Sequence, residues 1–93
     1  MENVVVADLI IHGSVVAKLH SKHNPLTADD VREALVYGRY SSSGWDDDEE
    51  HGLRLVVTTT TFRGLEFTAY LMPANEHDPE EGTFVLKTAI PKQ

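Results

Sequence analysis

Over Val4 to His23 the apolar positions Val5, Val6, Leu9, Ile10, Val16 and Leu19 fall at roughly three- and four-residue spacing, the period of an amphipathic helix. The start of the segment has two readings. "NVVV" is β-branched and reads equally as a short strand ahead of a helix that begins near Asp8 or His12. Gly13 weakens the helix locally, and Asn24-Pro25 ends it, because the residue before a proline is pushed out of the α region. "LTADDVREALVYG" then carries a helix start in full: Thr27 as N-cap, Asp30 three residues on as the second half of a capping box, and Asp29 beside the positive helix end. Val31, Ala34 and Leu35 form the apolar stripe and Gly38 closes it, so the pattern predicts a second helix over 28–37.

Residues 39–52, "RYSSSGWDDDEEHG", are polar and heavily acidic and read as an exposed loop. Beyond them the period becomes alternating. "LRLVVTTTTF" (53–62), "LEFTAYLM" (65–72) and "TFVLKTAI" (83–90) have strand length and strand composition. Arg63-Gly64 reads as a two-residue hairpin turn between the first two, with Gly64 supplying positive φ. A turn that tight sets Phe62 opposite Leu65. It puts Val56, Thr58, Thr60 and Phe62 on the helix-facing side with Leu65, Phe67, Ala69 and Leu71. Leu55, Val57 and Thr59 would then join Glu66, Thr68, Tyr70 and Met72 on a mixed face suited to a shallow groove. Residues 73–82 link the second and third strands as a long acidic loop. The expected architecture is α+β: two N-terminal helices, with or without a short leading strand, packed on a three-stranded antiparallel meander.

Ninety-three residues suffice for one modest core, so residues 1–93 are read as a single domain. The chain has no cysteine, which excludes a disulfide framework, a thiolate nucleophile and a Cys-type zinc site, and favours the cytoplasm. "MENVVVADLII" is too short and too interrupted for a membrane span, and it lacks the basic leader of a signal peptide. The net charge of −7 argues against nucleic acid as a partner. Its distribution changes that picture, because nine of the fifteen acidic residues lie in Asp46–Glu50 and in Glu76, Asp78, Glu80 and Glu81. The remainder carries +2, and a near-neutral scaffold of this kind can present a locally basic surface.

"KLHSKHNPLT" sets His20 and His23 one helical turn apart on a shared face, with Lys22 pointing elsewhere. Basic residues in a last helical turn favour the negative end of the macrodipole, which explains the stretch without a site. The same pair also supports acid–base chemistry near neutral pH. Zinc would need further ligands from His12, His51 or His77, brought in only by long-range folding. The "DDDEE" run lacks the alternating ligands and central glycine of an EF-hand loop, so no metal or other cofactor is assigned. It reads as a solvated loop or as a surface for a basic partner. Trp45, just before it, reads as a lid on the core or as a partner anchor. Tyr37, Tyr40 and Tyr70 read as core-edge residues rather than base-stacking platforms. No phosphate loop, serine elbow or metalloprotease motif occurs.

"KLHSKHNPLTADDVREALVYG" followed by the three strand segments resembles the BrnT-like branch of the RelE/ParE toxin superfamily over roughly residues 10–90. That resemblance implies a small cytoplasmic α+β toxin of a type II toxin–antitoxin pair, neutralised by an antitoxin-like protein and acting on RNA. The implied reaction is metal-independent, with the ribose 2′-hydroxyl attacking the adjacent phosphate, and it needs a base, an acid and cations against the developing charge. His20 and His23 are the candidates for base and acid, and Lys22, Arg54 and Lys87 for phosphate contacts. The alternative is a non-catalytic interaction module, or a degenerate toxin, that binds a basic partner through its acidic loops. Trp45, Asp46, Asp47, Asp48, Glu49 and Glu50 are then the contact residues.

Overall fold

The computed structural model describes residues 6–23, 25–38, 40–50, 52–75, 77–78 and 81–92. A short strand β1 (Asp8–Ile10) leads into α1 (Gly13–Lys22) and then α2 (Ala28–Arg32), which continues as a π-helical turn over Glu33–Tyr37. Four longer strands follow: β2 (Tyr40–Asp48), β3 (Gly52–Thr60), β4 (Glu66–Pro73) and β5 (Thr83–Pro91). All five strands form one mixed sheet in the order β1-β5-β4-β3-β2, antiparallel except where β1 runs parallel to β5.

The three-stranded meander expected from the sequence is thus corrected to a five-stranded mixed sheet. Two segments account for the difference. The stretch expected to be an acidic loop pairs with β3 from Tyr40↔Thr59 to Asp48↔Gly52, because alternate side chains there have partners that composition does not disclose. Trp45 turns inward, its ring 6.0 Å from that of Phe84, and Asp46 turns outward to Arg54. At the other edge, Leu9 is buried between exposed Asp8 and Ile10, and the Ala7 and Asp8 N–H groups donate to the Gly82 carbonyl at 2.8 and 3.2 Å. The first helix therefore starts only at Gly13, and Val4 and Val5 lie outside the described residues.

The second helical segment occupies 28–37 as its pattern predicts, although its later half is π-helical. The Thr27 hydroxyl accepts from the Asp30 N–H and the Asp30 carboxylate accepts from the Thr27 N–H, both at 3.1 Å, completing the capping box. At the far end Gly38 is required by a close approach, since a Cβ there would collide with the Ala34 carbonyl. Arg63 ties this helix to the sheet: its Nε and Nη2 donate to Asp30 at 3.0 and 2.6 Å, and Nη2 also donates to the Pro25 carbonyl at 2.6 Å. The hydrogen bond from Arg63 holds the Asp30 carboxyl below its usual range.

The β3–β4 turn is one residue longer than expected. The Thr61 N–H donates to the Leu65 carbonyl at 2.7 Å, and the Gly64 N–H donates to the Thr61 carbonyl at 3.0 Å. Gly64 has φ of 93°, so the loop is Phe62-Arg63-Gly64, a three-residue turn closed by a glycine in the left-handed region. That one residue slips the register and exchanges the two faces of β3. Val57 pairs with Ala69 and Leu55 with Leu71, so Leu55, Val57 and Thr59 are buried beside Phe67, Ala69 and Leu71. Val56, Thr58 and Thr60 instead share the outer face with Tyr70, Thr68 and Glu66. A bulge breaks β5 as well: Leu86 pairs with Leu71 and Thr88 with Tyr70, leaving Lys87 as the extra residue.

One core joins the helices to one face of the sheet, with Leu19, Leu26, Val31 and Leu35 from the helical side against Leu55, Val57, Phe67, Leu71, Phe84 and Leu86. Among the described residues no helix covers the opposite face.

Candidate functional site

The uncovered face is where the chemistry collects. Arg54 on β3, Tyr70 and Met72 on β4, and Lys87, Thr88 and Ile90 on β5 surround a hollow of about 380 Å³. It continues past Tyr70 and Ile90 into a second hollow of about 410 Å³, which takes in Thr58, Glu66, Thr68 and Lys92. Strand alternation sends Arg54 and Tyr70 outward, and the β5 bulge re-aims the chain so that adjacent residues Lys87 and Thr88 both line the same hollow.

The Arg54 guanidinium lies 5.0 Å from the centroid of the Tyr70 ring, a cation–π arrangement that also keeps the long side chain against the sheet. Its Nε and Nη2 reach the same carboxylate oxygen of Asp46, at 2.9 and 2.8 Å. Lys92 pairs with Glu66 at 3.0 Å at the far end of the groove, and the Thr58 and Thr68 hydroxyls stand 3.2 Å apart on its floor. Among the described residues, Arg54, Lys87 and Lys92 thus line the groove with one carboxylate, Glu66, while Asp46 pairs with Arg54 from β2, on a chain whose overall charge is −7. Chemically, the hollow offers a guanidinium and an ammonium for an anionic group, an aromatic ring with Met72 and Ile90 for a flat apolar one, and hydroxyls for polar edges.

The residues singled out from the sequence divide between the two sides of the sheet. Arg54 and Lys87 meet in the hollow. His20, His23 and Lys22 belong to the last turn of α1, on the helical side. His20 is exposed and lines a separate, largely apolar hollow with Val16, Leu19, Pro25, Leu26, Thr27 and Ala28. His23 is the helix C-cap, its N–H donating to the Leu19 carbonyl at 3.0 Å, and Lys22 is exposed. Because Leu19 of the same helix is buried in the core shared with Leu55 and Val57, the sheet stands between the histidine pair and Arg54.

Trp45 is 37% exposed and covers Phe84 at the edge of the core, which is the position of a lid. Asp46 belongs to the groove through Arg54, whereas Asp47 is exposed opposite Leu53, Asp48 ends β2, and Glu49 and Glu50 are exposed in the β2–β3 turn. His12 is the N-cap residue of α1, His77 lies in the loop before β5, and His51, Glu76 and Glu80 lie outside the described residues. Among the described residues no three histidine, aspartate or glutamate side chains converge on a metal position. No described helix is long and apolar enough to cross a membrane.

Tyr70, expected on the mixed outer face as a core-edge residue, is a wall of the hollow itself. The signal for it was present: Tyr70 falls in register with Glu66, Thr68 and Met72, a run whose alternate neighbours Phe67, Ala69 and Leu71 are all apolar. No family model matches this chain, and no curated protein or solved structure matches it significantly.

Proposed function

We propose that the chain is a toxin-like protein acting on RNA, and that it engages its substrate on the open face of the sheet. The observation that carries this reading is the convergence of Arg54 and Lys87, from strands separated by β4, on one hollow that also contains Tyr70. A phosphodiester between the two cations, with a base against Tyr70, Met72 and Ile90, uses every residue of the hollow but Thr88. Single-stranded RNA is recognised by this combination of backbone cations and an aromatic face. For 2′-hydroxyl attack, the same cations would oppose the charge that develops on the phosphate. His20 and His23 then belong to the end of α1, where His23 is the C-cap.

The reading is tested by expression without a partner. Wild-type chain should arrest growth, the R54Q/K87Q double variant should relieve the arrest, and H20A/H23A should leave it in place. Harmless wild-type expression, or relief by H20A/H23A and not by R54Q/K87Q, would count against it. A second reading, an interaction module for a basic partner, draws on one observation: Asp47 and Asp48 end the edge strand β2, and Glu49 and Glu50 follow in the β2–β3 turn. Under that reading, neutralising these four residues abolishes partner binding while the groove variants leave it intact.

A further inference from the structure

Asp46 places a carboxylate oxygen against two nitrogens of Arg54, 2.9 and 2.8 Å away, and this is the position that a phosphate oxygen would occupy in a complex. The pair is built into the fold: Asp46 and Arg54 are register partners across β2 and β3, both turned to the open face, and Arg54 is held against Tyr70. Asp47, one residue along, is opposite Leu53 and turned to the other face, so it has no share in this contact. We infer that Asp46 is an internal competitor for the RNA phosphate at Arg54, a carboxylate that occupies the anion position until substrate displaces it. This rests on the sheet-face reading above.

Displacement sets a threshold. A ligand with a weak single anionic oxygen gains little by exchanging with Asp46. A phosphodiester gains because it also reaches Lys87 and sets its base on Tyr70, so the contact selects extended polyanions over small anions. Asp46 also keeps the guanidinium oriented along the sheet when no substrate is bound, and its side chain is 49% exposed, leaving it room to swing aside.

The experiment is a fluorescence-anisotropy titration of a labelled single-stranded oligoribonucleotide with wild type, D46N, D47N, R54Q, D46N/R54Q and R54Q/K87Q, each checked for folding by circular dichroism. D46N should bind about two- to fivefold more tightly than wild type, the range set by a half-exposed ion pair. D47N makes the same change in net charge and should move affinity less. In the R54Q background, D46N should add no more than D47N does. Equal effects of D46N and D47N, or an undiminished D46N effect in R54Q, would overturn the competitor while leaving the sheet-face site standing. If R54Q/K87Q binds as wild type does, the sheet-face site itself falls and the competitor with it.

Discussion

Thr61→Val perturbs the turn that sets which face Arg54 occupies. Thr61 is 4% exposed, and its hydroxyl oxygen accepts the Leu65 N–H at 2.9 Å, inside the loop that fixes the β3–β4 register. Valine has the same shape, so the change deletes the acceptor and leaves the packing in place. An orphaned backbone N–H costs about 1–3 kcal/mol, and because Leu65 is only half-buried the lower part of that range applies. The methyl group that replaces the hydroxyl recovers up to roughly 0.8 kcal/mol of that by its burial. The net loss should be about 1 kcal/mol, or a fall of roughly 4–8 °C in Tm for a domain of this size. Urea and thermal denaturation followed by circular dichroism read it directly. Thr58→Val and Thr68→Val on the half-buried outer face supply the comparison and should each stay within about 0.5 kcal/mol. If Thr61→Val costs no more than those two, the hydroxyl does not hold the turn.

Asp30 and Arg63 make stability depend on acid pH. The Asp30 carboxyl lies below its ordinary 3.8 in the folded chain because Arg63 hydrogen-bonds to it, so the folded state binds fewer protons there. Its contribution is complete above about that ordinary value and is lost as pH falls through the folded one. The urea midpoint should therefore drop as pH falls below about 4, and Arg63→Gln should shrink the part of that drop due to Asp30. Phe84→Ala removes a fully buried ring beneath Trp45 and should cost about 3–5 kcal/mol by denaturation, with a red-shifted Trp45 emission; an unchanged emission would deny the packing of the two rings.

What the sequence disclosed was local. The capping box of Thr27 and Asp30 and the close at Gly38 are written within a dozen residues, and that helix was legible to its ends. β2 was not, because "SSSGWDDD" has neither β-branched residues nor apolar alternation; it is a strand through its pairing with β3 and through Trp45 on Phe84. β1 needs a parallel partner more than seventy residues away, information no window contains. On the face that carries the site, a one-residue error in the β3–β4 turn exchanged Leu55 and Val57 for Val56 and Thr58, while the β4 half of the groove was read correctly. Arg54 and Lys87 were named for their charge, but their meeting depends on that register and on the bulge at Lys87, where the alternation of Phe84 and Leu86 breaks before Ala89. The histidine pair stood out because one helix turn brings the two together. Where that turn lies relative to the sheet was beyond local pattern.

A salt titration of RNA binding tests the sheet-face site most directly. Two phosphate contacts to single-stranded RNA give log K against log salt a slope of about −1.4, from roughly −0.7 per contact. Wild type and H20A/H23A should share that slope, and R54Q/K87Q should bring it close to zero with a matching loss of affinity at low salt. A slope unchanged in R54Q/K87Q, or lost in a variant lacking His20, His23 and Lys22, would put the RNA on the helical side and contradict a site on the sheet.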